Sequence, residues 1–189
     1  MLDKLASLLL PLPSNVVEPV LGLAIEIARE GREGRRIGTL FMVGDSEAVL
    51  RRSRPLILDP LAGHPAHTRR VTGPNLRGTV KELAQLDGAF VISDSGIFVA
   101  ACRYLEAKAP TLRLPFGLGT RHMAAAAMSQ VTGSIGVVVS ETATVRVFRR
   151  GVLLAEISCS PKPRLQKLES GEAFTPAAPS RGASLQSNT

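Results

Sequence analysis

At 189 residues with a hydrophobic fraction of 44%, the chain can bury one good core, and one domain is the expectation. A net charge of +7 and a pI near 10.2 suit nucleotides, nucleic acid or anionic surfaces without choosing among them. An aromatic content of 4%, with no tryptophan and one tyrosine, argues against a protein that stacks single-stranded bases on aromatic platforms.

The two cysteines, Cys102 and Cys159, stand far apart and form no CxxC pair. That usage reads as a reduced, cytoplasmic protein without structural zinc or a disulfide framework. The apolar run Leu5 to Leu12 is far shorter than a bilayer span and is interrupted by Pro11 and Pro13, so a packed terminal arm is predicted and no membrane association.

Asn15 followed by Glu18 resembles a capping box, and Val16, Val17, Val20, Leu21, Ala24, Ile25 and Ala28 recur at helical spacing, predicting a helix from about Val16 to Glu30. In the run Arg29 to Arg36, acids alternate with bases, which reads as a solvated loop rather than a nucleic-acid patch. Ile37 to Val43 reads as a strand closed by Gly44 and Asp45, with Asp45 placed to cap a short helix through Leu50. Arg51, Arg52 and Arg54 follow, where a helix C-terminus welcomes cations. Between Pro55 and Pro74, His64 and His67 have no third metal ligand near them and read as loop histidines.

Thr79 with Glu82 forms another capping-box pattern, opening a helix VKELAQL that delivers Asp87 to the start of a strand. Strands are predicted at Phe90 to Ser93 and Ile97 to Tyr104, joined by Asp94, Ser95 and Gly96. Gly117 and Gly119 allow a tight loop, and Thr120 is a good N-cap for a helix to about Val131. Arg121 and His122 then fall in the first turn, where the helix dipole disfavours a cation unless an anion joins it. Ala124 to Ala127 would let this helix lie close on a sheet. Ile135 to Val139 reads as a central strand ending in Ser140 and Glu141; Thr144 to Phe148 and Val152 to Ile157 are two more strands joined by a turn at Arg149 to Gly151. Residues 1–160 are thus expected to form the domain, and 161–189, rich in Pro, Ser, Ala and Gln, a mostly disordered tail.

Packing does not require Asp87, Arg121 or His122. A carboxylate offers a hard oxygen ligand to Mg²⁺ or Mn²⁺, while the free N–H groups of a helix's first turn and an adjacent arginine bind phosphate oxygens. The residues therefore point to a nucleotide-handling enzyme.

With these pieces in view, the sequence resembles the diadenylate cyclase domain family, which makes cyclic di-AMP from two ATP molecules. The likeness is carried by KELAQLDGAFVIS, the hairpin ending AACRYL, LPFGLGTRHMAAAAMSQVTG and IGVVVSETATVRVF, roughly Gly78 to Phe148. Short standalone forms, like those common in archaea, look closest. The resemblance implies an α/β fold, a twisted mixed sheet flanked by helices. It implies that Asp87 binds a divalent metal, Mn²⁺ or Mg²⁺, and helps activate the 3′ hydroxyl, and that Gly88 and Ala89 let the nucleotide approach the backbone. Tyr104 and Leu105 match positions near the adenine. Gly119, Thr120, Arg121 and His122 match the phosphate-binding turn, and Ser140 and Glu141 the position near the outer phosphates and metal.

Two departures stand out. Many members carry Arg-His-Arg where this chain has Met123 in the third position, so one guanidinium is absent, and an arginine of the 51–54 cluster is a candidate replacement. Leu86 stands where some members have a metal-binding histidine. Ring closure needs two ATP molecules in antiparallel array, which two protomers facing each other across a two-fold axis would provide. The Met123 departure motivates a rival reading, a nucleotide-binding module without strong catalysis; the basic balance motivates a second, nucleic-acid binding, which leaves Asp87 and the GTRH turn unexplained.

Overall fold

The structure, a computed structural model, describes residues 14–159 apart from 57, 110, 111, 113 and 116, together with the backbone of 164–167. Its elements are α1 (Ser14–Glu30), β1 (Thr39–Val43), α2 (Ser46–Arg51), β2 (Ser53–Pro55), a 3₁₀ turn (Ala66–Arg69) and α3 (Pro74–Leu83). There follow β3 (Ala89–Ile92), β4 (Phe98–Leu105), α4 (Thr120–Val131), β5 (Ile135–Ser140), β6 (Thr144–Arg149), β7 (Val152–Ser158) and β8 (Arg164–Lys167). The eight strands form one sheet in the order β2-β4-β3-β1-β5-β6-β7-β8. The β1–β3 pair is parallel and the other pairs are antiparallel, so the sheet is mixed, as expected of this α/β sequence.

Alternation along the strands decides which helix covers which face. Phe41, Phe90, Phe98, Val137 and Val145 face α1 and α3, and the three phenylalanines pack ring on ring, Phe41 stacked on Phe90 at 5.2 Å and Phe98 edge-on to both. Leu40, Met42, Val91, Val138 and Phe148 point the other way and meet the buried alanines of α4. A Cβ on Gly136 would sit 2.9 Å from that of Ala125, so the Gly136–Ala125 pairing sets how closely α4 approaches β5. The alanine run thus does what its composition suggests.

Several local expectations shift. Helix α3 begins at Pro74 rather than after Thr79, because Gly73 and Pro74 supply a ready N-terminus; Thr79 sits mid-helix and donates its hydroxyl to the Asn75 carbonyl at 3.2 Å. Asn15 lies within α1, not before it. Asp45 is the N-cap residue of α2, as expected, but in left-handed φ 42° and without a side-chain capping bond; its carboxylate instead accepts the Gly133 N–H at 2.8 Å, joining the β1–α2 and α4–β5 turns. Gly119, not Thr120, is the N-cap of α4. Ser53–Pro55, expected as part of a basic cluster running into a loop, is an edge strand on β4, a position where proline's missing N–H costs no ladder bond. Of the stretch expected to lack structure, 164–167 pairs with β7; the remainder, like the Leu5 to Leu12 arm, lies outside the described residues. Among the described residues no helix is long and apolar enough to cross a membrane.

Candidate active site

Three segments converge at the ends of the central strands of the sheet. The chain enters β1 through Gly38 and β3 through Asp87-Gly88, and it leaves the antiparallel β5 through Ser140-Glu141, so the pairing of Leu40 with Ala89 and of Thr39 with Val139 brings these three ends side by side. Helix α4 opens above them. Its second residue, Arg121, reaches down and bridges two acids: Nη2 lies 3.4 Å from Asp87 Oδ1 and Nη1 3.7 Å from Glu141 Oε1. Both carboxylates are open to solvent, their side chains 87% and 67% exposed. Asp87 and Arg121, 34 positions apart in sequence, are therefore neighbours.

Gly38 makes room for this bridge. A Cβ there would fall 2.9 Å from Arg121 Nη1 and 3.4 Å from Glu141 Oε1. Gly88 is constrained differently: its φ is 99°, and a Cβ would meet Cys102 carbonyl carbon at 2.6 Å and Arg103 nitrogen at 2.8 Å. The β3–β4 pair therefore closes tightly just behind Asp87, with a bulge where Ala89 faces Arg103 but Val91 faces Ala100, and Cys102 takes φ 51°.

The first turn of α4 carries Thr120, exposed beside the cluster, and Gly119, whose carbonyl accepts the N–H groups of His122 at 3.0 Å and Met123 at 3.2 Å. His122 goes elsewhere than expected. It is 7% exposed, turned down onto the sheet with its ring edge-on to Phe148 at 6.1 Å and Nε2 3.2 Å from Arg146 Nη1. Arg146 in turn donates to Glu156 at 2.6 Å. Burial first, and then the Arg146 guanidinium, hold the imidazole below its ordinary pKa. At the third helical position the side chain points back under the helix, so packing against β6 claims His122 while Arg121 keeps the open side. Met123 is exposed and brings no charge.

Tyr104 and Leu105 lie at the end of β4, where Arg103 pairs with Ala89, and they line a cleft of about 530 Å³ with Glu106, Ala107 and Lys108. Arg54 on β2 lies over the Tyr104 ring, 4.7 Å from its centroid, and is held there by Glu106 at 3.0 Å. Ser140 Oγ is 2.9 Å from Thr142 Oγ1, and the Thr142 N–H reaches Ser140 Oγ at 3.3 Å, which fixes the turn carrying Glu141. The 51–54 arginines are engaged away from the cluster, with Glu47, the Ala48 carbonyl and Glu106. Sequence reasoning missed Gly38, which reads as an ordinary residue at a strand start, and the charged turn before it. Arg32, Arg35 and Arg36 from that turn line a cleft of about 440 Å³ together with Gly38, Arg121 and Glu141.

Asp87 and Glu141, each within reach of a different nitrogen of one guanidinium, are solvent-open hard oxygen donors. Among the described residues no third histidine, cysteine or acid joins them. Two carboxylates with the remaining positions left to water and phosphate oxygens is the way Mg²⁺ is commonly bound, so the residues fit such an ion.

Fold and site together define a nucleotide-binding α/β domain. The chain belongs to the DisA bacterial checkpoint controller nucleotide-binding (DAC) family, whose model matches residues 26–153. A diadenylate cyclase from Methanocaldococcus jannaschii is 47% identical over 143 residues, covering 75% of this chain and 45% of that protein. One from Haloferax volcanii is 42% identical over 144 residues, covering 76% of this chain and 52% of that protein. The chain thus spans about half the length of the curated relatives it matches. Among solved structures, a hypothetical membrane-spanning protein from Bacillus cereus superposes with a TM-score of 0.52 at 20% identity, over 74% of this chain and 67% of that one, which speaks to the fold alone.

Proposed function

We propose that this chain condenses two ATP molecules into cyclic di-AMP with release of two pyrophosphates. The observation that carries the reading is the Asp87–Arg121–Glu141 cluster at the mouth of α4, in a chain 42–47% identical to two diadenylate cyclases. Asp87 and Glu141 would hold Mn²⁺ or Mg²⁺, which when bound lowers the pKa of the 3′ hydroxyl and offsets charge on the leaving group. Arg121, poised between the two acids, donates to the α-phosphate when ATP arrives, aided by the free N–H groups of the first turn of α4. Asp87 accepts the 3′ hydroxyl proton. The 3′ oxygen forms its bond to the α-phosphorus of the opposing ATP, the bond from that phosphorus to the bridging oxygen breaks, and pyrophosphate takes the electron pair.

Tyr104 and Leu105 receive the base, with Arg54 fixing the tyrosine ring, while Gly88 and Ala89 admit the sugar close to the backbone. Ser140 orients the Glu141 turn toward the outer phosphates. His122 serves as a positioning residue, tying the first turn of α4 to β6 through Arg146 and Phe148. Each protomer supplies one ATP, and two protomers face each other so that each 3′ oxygen meets the other's α-phosphate. The test is incubation of the purified protein with ATP and Mn²⁺ or Mg²⁺ over a series of protein concentrations, with product read by mass spectrometry and association state by sedimentation. Cyclic di-AMP formed at a rate per protomer that falls on dilution below the dissociation constant of the protomer pair supports the reading. Bound ATP without product in either metal, at every concentration, favours the binding-module alternative, and product from a demonstrable monomer removes the two-protomer step.

A further inference from the structure

The turn between α1 and β1 is a built feature. Glu33 (φ 49°) and Gly34 (φ 75°) are the two left-handed residues of a tight turn closed by reciprocal 2.8 Å hydrogen bonds, Arg32 N–H to the Arg35 carbonyl and Arg35 N–H to the Arg32 carbonyl. Gly31 is required beside it, since a Cβ there would lie 2.1 Å from the Arg35 carbonyl oxygen. Two of its arginines are occupied in holding it. Arg36 donates to the Ala28 and Arg29 carbonyls at 2.7 and 3.0 Å, at the C-terminal end of α1, and Arg32 pairs with Glu82 at 2.6 Å. Arg35 differs: among the described residues its guanidinium makes no hydrogen bond or ion pair, and it lines the cleft of about 440 Å³ that Arg121 and Glu141 share with the cluster.

Among the described residues four guanidiniums and two carboxylates, those of Glu33 and Glu141, border this cleft, with Ile37 and Ala84 as its aliphatic side chains. Such a lining carries a net positive charge with one cation, Arg35, left uncommitted, which suits a compact polyanion and offers an apolar ligand little. The cleft runs from Arg121, where the reading above puts the α-phosphate, back to a rigid turn carrying an uncommitted cation. We propose that it seats the β- and γ-phosphates of ATP, and pyrophosphate before it departs, with Arg35 as the clamp. The inference rests on the cyclase reading for its assignment to ATP, but the cleft itself makes a prediction independent of turnover.

The test is isothermal titration of pyrophosphate, ATP and AMP, each with Mg²⁺, into wild type, Arg35→Ala and Arg51→Ala. Arg51 is an exposed arginine paired with Glu47 and outside the cleft, so it controls for loss of one positive charge at a distance. Arg35→Ala should weaken pyrophosphate and ATP by a common factor of about 10 or more, the scale of one charge-assisted hydrogen bond, and leave AMP unchanged. Arg51→Ala should leave all three near wild type. Pyrophosphate affinity in Arg35→Ala within about twofold of wild type, or an equal loss in Arg51→Ala, overturns the assignment. A wild type that binds pyrophosphate through Arg35 yet yields no cyclic di-AMP would leave the clamp standing and count against the cyclase reading alone.

Discussion

Replacing Gly38 with alanine separates the site from the fold that carries it. The added Cβ would stand 2.9 Å from Arg121 Nη1, a distance no real contact keeps, and 3.4 Å from Glu141 Oε1 and from the Val139 carbonyl. What must yield is the tip of a flexible side chain, and Gly38 is not in the left-handed region, so the fold should accept the change. A compatible Gly→Ala substitution even tends to stabilise by about 0.4–1 kcal/mol through the unfolded chain. Arg121, however, has to swing off the line between Asp87 and Glu141. If the displaced guanidinium no longer meets the α-phosphate, one hydrogen bond between charged groups is lost, worth about 1.5–3 kcal/mol. That corresponds to a fall in kcat/KM of roughly 10- to 150-fold. The assay is cyclic di-AMP formation at low ATP, beside a thermal melt of the same preparation. Turnover within about twofold of wild type would refute the geometry, and a parallel drop in melting temperature of more than about 5 °C would show that the substitution disturbs folding instead.

Gly88→Ala should do the opposite, because its Cβ would strike the Cys102 and Arg103 backbone from φ 99°. The left-handed conformation and overpacking together predict a loss of about 2–5 kcal/mol in urea unfolding, and a loss under about 0.5 kcal/mol would contradict the tight β3–β4 closure. His122, held neutral by burial and Arg146, predicts acid sensitivity. The unfolded chain takes up this proton near pH 6.5 and the folded chain only lower, so stability is lost as pH falls from about 6.5 toward the folded value and the loss stops growing beneath it. Melting temperatures between about pH 7.5 and 5.5 should therefore fall more steeply for wild type than for His122→Gln, and equal slopes would place the imidazole in solvent.

Much of this arrangement was legible because period and chemistry agreed. The alternation in Phe90 to Tyr104 marks a hairpin, and the acid before one strand and the arginine at the start of a helix stand out as charges that packing does not require, and the fold brings the two together. The bulge at Cys102 was not legible, since one extra residue on β4 leaves the hydrophobic pattern readable in either register. Nor was the direction of His122: a histidine in the first turn of a helix can face ligand or sheet, and only the position of Phe148 and Arg146 on β6 decides it. Gly38 hides for a similar reason, as its role depends on Arg121 arriving from 83 positions further along the chain. The run Arg29 to Arg36 read as a solvated loop because its acids alternate with its bases, whereas the tight turn at Glu33 and Gly34 leaves adjacent arginines in different roles, Arg36 bonded to the end of α1 and Arg35 available.

The most direct measurement of the central claim compares wild type with Asp87→Asn in ATP and Mn²⁺, with cyclic di-AMP and pyrophosphate quantified together. Asp87 is exposed and packs against nothing the fold depends on, so the variant should fold normally. On the proposed mechanism the substitution removes a metal ligand and the proton acceptor, so the variant should make no detectable cyclic di-AMP while wild type should release two pyrophosphates per product. Equal product from both would mean that the acid at the start of β3 does no chemistry.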